Sequence, residues 1–221
     1  MNPSSVFLAW YLELNVISSA SILLPAILAL VLFKRQVLPL KSLSILIWIG
    51  ALVEVAAQIM ANNGKSNLPL LHVYVIIEFV LLGWMYQFNL YKLYNRYVIP
   101  IIIILFSIFS IINSLFIQSI YTFNTHNRPL SNLLLIVFAI SYYYKLLKEL
   151  KIRYLERNPM FWINTGILIY YSGSLFLFIF SNYIIKTRES WLLVWHIHSI
   201  LNIFINIFYT IGLWHSQENS E

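Results

Sequence analysis

Seven runs of apolar residues, none shorter than about 18, fill most of this chain. At about 1.5 Å per residue, a helix of that length reaches across a hydrocarbon core of roughly 30 Å. The runs are approximately Tyr11–Phe33, Leu43–Ala61, Leu70–Phe88, Val98–Ile117, Leu130–Leu147, Met160–Ile185 and Trp191–Trp214. Away from water a chain has to satisfy its own backbone N–H and C=O groups, and a single run of this length does so as an α-helix. The pattern predicts an all-α integral membrane protein, a single seven-transmembrane-helix bundle over residues 1–221.

Composition narrows the function classes. Charged residues make up 10% of the chain, against about 25% in a typical soluble domain. The runs leave no room for a soluble catalytic or kinase domain, so any output has to pass through the helices or a separate cytoplasmic or membrane signalling protein. Cysteine is absent and all eight acidic residues are Glu, which excludes disulfides, thiolate metal sites and aspartic intramembrane proteolysis. The net charge of +6 resides in the connections. No basic stripe interleaves with aromatics, so the expected partner is the lipid bilayer and not a nucleic acid. The opening MNPSSVFLAW lacks the basic start of a secretory signal, so the first run reads as a retained helix.

Pro39, Pro69, Pro129 and Pro159 each stand just before a run, where a missing N–H costs a helix least. Pro25 lies inside the first run and predicts a kink there. Lys and Arg give an orientation. The first, third and fifth connections hold ten of the fourteen, among them Lys145, Lys148, Lys151, Arg153 and Arg157. The even ones hold Lys65, Arg128, Lys186 and Arg188. That bias predicts odd connections in the cytoplasm, the N-terminus outside and the C-terminus inside, in a multi-pass protein of the cytoplasmic (plasma) membrane. Six glycines without a GxxxG pair predict seams built from Ser and Ala.

Polar residues inside the runs mark the candidate site. On helix two, Gly50, Glu54, Gln58 and Asn62 recur every four residues and form one stripe. On helix three, Tyr74 and Glu78 share a face, with His72 roughly 120° away. On helix seven, Ser199, Asn202, Asn206 and Tyr209 share a sector flanked by His196 and His198. With the predicted orientation, Glu54, Gln58, His72, Tyr74, Glu78, His196, His198 and Asn202 form the candidate ligand-binding set, with most of them in the outer half; Asn182 of helix six lies at the same level. A carboxylate at that depth is expensive unless it is protonated or paired with His or a cation. For a lone Asn or Tyr the usual role is an interhelical hydrogen bond.

Three chemistries fit this layout to different degrees. A sensor or binding protein needs only a polar pocket open to the outside and a partner to receive its state. A zinc-dependent intramembrane hydrolase of a lipid-like substrate would draw ligands from His72, His196, His198, Glu54 and Glu78 and leave one position for water. The superfamily of alkaline ceramidases and adiponectin-type receptors is similar in helix number and in its helix-seven histidines. Its two stand four apart, whereas His196 and His198 are two apart, and its Asp has no counterpart here. A proton-coupled small-solute transporter would use Glu54 or Glu78 as the exchanging group. Covalent retinal is excluded, because no Lys follows Trp191.

Overall fold

The computed structural model describes residues 13–149, 154–184 and 188–217, and side-chain surroundings for all of these except 180–184 and 188–191. Lys151, Arg153 and Lys186 lie outside the described residues, as do the side chains of Asn182, Arg188 and Trp191. Among the described residues there is no strand, and seven helices are long and apolar enough to cross a membrane. They are α1 (Glu13–Leu32), α2 (Leu38–Asn62), α3 (Leu68–Leu90), α4 (Val98–Ile117), α5 (Asn127–Glu149), α6 (Pro159–Ile184) and α7 (Arg188–His215).

Helix starts follow local chemistry. Pro39 and Pro69 occupy the first turns of α2 and α3. Asn158 accepts from the backbone N–H groups of Met160 (2.8 Å) and Phe161 (3.2 Å), capping α6 directly before Pro159. Asn124 accepts from Asn127 N–H at 3.1 Å, so α5 starts three residues ahead of the apolar run at Leu130 and takes Arg128 into its first turn. In α1 the regular pattern breaks at Ile22, one turn before Pro25. The last five residues of α4, Asn113–Ile117, are wound as a π-helix.

α1, α2, α3, α5, α6 and α7 pack as a closed ring of neighbours, and α4 leans on α3 from outside. The outer surface is apolar: Leu30, Leu52, Leu115 and Leu147 are all about 70% exposed. Much of the polar chemistry points inward, where Ser44, Ser110, Asn113, Asn127, Ser131, Asn132, Asn164 and Ser174 are fully buried. Side-chain hydrogen bonds stitch the ring. Asn202 donates to Ser18 (3.0 Å) and Asn206 to Ser21 (2.8 Å) between α7 and α1, and Tyr86 of α3 donates to Asn164 of α6 (2.6 Å).

Serine serves those seams as expected, but glycine makes the tightest one. A Cβ at Gly166 would stand 2.6 Å from Phe208 Cβ, at Gly173 2.7 Å from Leu201, and at Gly212 2.5 Å from Ile163. Half of the six glycines thus bring α6 and α7 together without any GxxxG pair.

Candidate functional site

The centre of the polar interior is Arg128. Its start-of-helix position on α5 aims a long cationic side chain into the ring, where it is 8% exposed. Nη1 donates to the Glu78 carboxylate of α3 in an ion pair. Nη2 donates to the Tyr170 hydroxyl of α6 at 3.1 Å. The guanidinium lies over the rings of Tyr171 (5.9 Å) and Phe178 (5.8 Å), which give it an aromatic surround where water would otherwise be needed.

The contact continues across the bundle. A guanidinium only donates, so the Tyr170 oxygen accepts from Arg128 and its own proton is available to His198 Nε2 of α7, 3.3 Å away. His198 is walled by Trp195, with ring centroids 5.5 Å apart, and by Phe178 at 6.5 Å. One carboxylate, one guanidinium, one phenol and one imidazole from four helices therefore form a continuous chain. Tyr74 and Tyr170 lie within electrostatic reach of both Glu78 and Glu54. Glu54 accepts from Ser19 of α1 at 2.5 Å, and the Tyr74 hydroxyl packs over Gly50, one turn before Glu54.

The connection between α4 and α5 covers this cluster. Phe123 packs on Trp195 with centroids 5.9 Å apart. His72 pins the connection from beneath: Nε2 meets the Thr122 carbonyl at 3.0 Å and Nδ1 meets Ser114 Oγ at 3.4 Å. Gln118 donates to the Phe123 carbonyl (2.7 Å) and to Thr125 (2.8 Å), and His126 bonds Asn113 at 2.9 Å. Where the sequence predicts an open pocket, the cluster is closed in this structure, with Glu78 5% and Tyr170 6% exposed.

The structure thus brings Glu78 and His198 into one chain through Arg128 and Tyr170, leaves Glu54 and Tyr74 outside that chain of contacts, and separates the rest of the candidate set. Gln58 donates to Asn62 on an exposed stretch of α2 (3.0 Å). His72 serves the connection, His196 bonds the Leu192 carbonyl of its own helix (2.7 Å), and Asn202 serves the α1–α7 seam. The zinc set expected from His72, His196, His198, Glu54 and Glu78 does not assemble: no group of three or more His, Asp, Glu or Cys that could hold a metal occurs among the described residues. Helical projection places residues around one axis and cannot say which neighbour each face meets. Ser174 contacts Asn132 (2.9 Å) and the Tyr171 carbonyl.

Two residues were missed. Arg128 reads as a connection charge because it precedes Pro129, and Tyr170 reads as one aromatic among many. The available signal was the unpaired Glu78, which needs a cation, together with Asn124 as a cap that moves Arg128 inside a helix. No family model matches the chain, and no curated protein or solved structure matches it.

Proposed function

We propose that this chain is a multi-pass membrane sensor that binds a ligand at the Glu78–Arg128–Tyr170–His198 cluster and hands its state to a separate signalling protein. The observation that carries this reading is the buried ion pair extended to α7. Seven apolar helices gain nothing in packing from a carboxylate and a guanidinium, because desolvating both offsets most of their attraction. A group that competes for Arg128 or for Glu78 would release α3 from α5 and re-aim Tyr170. The Lys/Arg bias supports an N-terminus outside and a C-terminus in the cytoplasm, and Arg128, being buried, no longer counts against it. The cluster and its covering connection then face outward, and the basic end faces a cytoplasmic partner.

The test is a thermal-shift screen of the purified protein in nanodiscs against small organic acids and amines. A compound that raises the midpoint of the wild type should have no effect on Tyr170→Phe or on the double variant Glu78→Leu/Arg128→Met. If the double variant keeps the response, the cluster is not the binding site. Proton-coupled transport is a second reading, favoured by two carboxylates, Glu54 and Glu78, within reach of the same two phenols. Proton flux in proteoliposomes that is lost with Glu54→Gln would move it to first place.

A further inference from the structure

At the opposite end of the bundle from the Arg128 cluster, a cavity of about 180 Å³ opens between the ends of α3, α5 and α6. A single ordered water needs roughly 10–15 Å³, so the space takes a polyatomic group. We propose that it is a binding site for the phosphate of an anionic membrane lipid.

Position is the first reason. Asn89 is one residue from the end of α3, Glu149 ends α5, and Met160 is the second residue of α6. The cavity therefore sits where three apolar spans stop, which is the height of lipid headgroups when the helices cross a bilayer. Chemistry is the second. Lys145 lines the cavity, and its Nζ donates to the Asn89 carbonyl at 2.6 Å and lies over the Tyr91 ring, which fixes the ammonium and leaves two of its three protons for an acceptor. Tyr142 and Asn158, joined to each other at 3.5 Å, add polar groups at the same wall, and Glu149, one turn after Lys145, is its one acidic residue. Leu146 and Met160 give an apolar side suited to the glycerol and first acyl carbons of a lipid, which a free phosphate would leave unused.

The surroundings agree. Lys92, Arg96, Lys148 and Arg157 belong to the same end of the bundle, and basic pockets between membrane helices on the cytoplasmic side hold phosphate headgroups. General attraction of exposed lysines to an anionic surface would not depend on Lys145 in particular. Lys148, exposed and lying over Tyr144, supplies the comparison.

The experiment uses the full chain in phosphatidylcholine nanodiscs with an increasing fraction of phosphatidylglycerol, and in parallel with inorganic phosphate. Phosphatidylglycerol should raise the thermal midpoint of the wild type and of Lys148→Gln by roughly 2–4 °C. That rise should vanish in Lys145→Gln and in Met160→Trp, which fills the cavity with Lys145 in place. Equal losses in Lys145→Gln and Lys148→Gln overturn the proposal in favour of general surface charge. An equal rise with inorganic phosphate overturns the lipid as its source. If Lys145→Gln does not fold, Met160→Trp decides alone, and an unchanged lipid response there also overturns the site.

Discussion

Glu78 and Arg128 stand fifty residues apart in the chain and meet in a buried ion pair that joins α3 to α5. Neither charge is tolerable there alone, and the two differ in how they escape. A carboxyl group neutralises itself by taking a proton, whereas a guanidinium does not lose one. This asymmetry sets how the interior responds to change.

Glu78→Leu should therefore be the most damaging single substitution at the cluster, costing about 3–5 kcal/mol, because it strands a charge that cannot be discharged. Arg128→Met should cost less. The double variant should lie within about 1 kcal/mol of the wild type, because an apolar replacement of the whole pair removes the desolvation cost with the attraction. Unfolding in mixed detergent micelles gives the ordering. A double variant as unstable as Glu78→Leu would mean that the pair contributes net stability.

Tyr86→Phe tests a neutral bond of the same interior. It removes the 2.6 Å hydrogen bond to Asn164, which also donates to the Ala139 carbonyl at 3.1 Å. Interhelical hydrogen bonds in membranes are worth about 0.6 kcal/mol on average and about 1.7 at most. The loss measured in the same micelles should fall in that range, below either single charge variant. A larger loss would place Asn164 in a network that fails as a unit.

The α6–α7 seam predicts a ranking among glycines. At Gly212 a Cβ would meet the backbone oxygen of Pro159 at 2.9 Å as well as Ile163, so the main chain has to move, and Gly212→Ala should cost about 1–3 kcal/mol. At Gly50 the nearest atoms are the ends of Tyr74 and Ile22, at 3.1 and 3.3 Å, which can yield. Gly50→Ala should be the milder of the two. Equal losses would show that Tyr74 is held as rigidly as backbone.

Seven helices were legible because apolar length is a one-dimensional property, and the helices depart from the runs by only a few residues at most ends. The largest departure, five residues at the start of α2, arises because Lys41 and Ser42 interrupt the apolar pattern without interrupting the helix; Lys41 reaches back over the Phe33 ring. Glu54, Tyr74, Glu78 and His198 stood out as costly groups in apolar surroundings. Their partners did not, since the identity of the cation that meets Glu78 depends on how α5 sits against α3. His72 and His196 carry the same chemical signal as His198 and were separated from it only by what each ring nitrogen touches.

His72 offers the most direct test of access to the cluster. Its ring is 2% exposed and both nitrogens are engaged. The Thr122 carbonyl can only accept, so Nε2 carries a proton and donates to it, while Nδ1 pairs with the Ser114 hydroxyl. His72→Phe keeps an aromatic ring and removes the Thr122 bond from the connection whose Phe123 packs on Trp195, together with the Ser114 bond to the end of α4. One hydrogen bond of ordinary strength to the connection, about 0.5–1.5 kcal/mol, corresponds to a roughly 2–13-fold increase in its opening. Hydrogen exchange should quicken by that factor at residues 119–125 while the middle of α3 keeps its protection. Faster exchange in α3 itself, with the connection unchanged, would mean that His72 supports its own helix, and the closing element over Arg128 would have to be sought elsewhere.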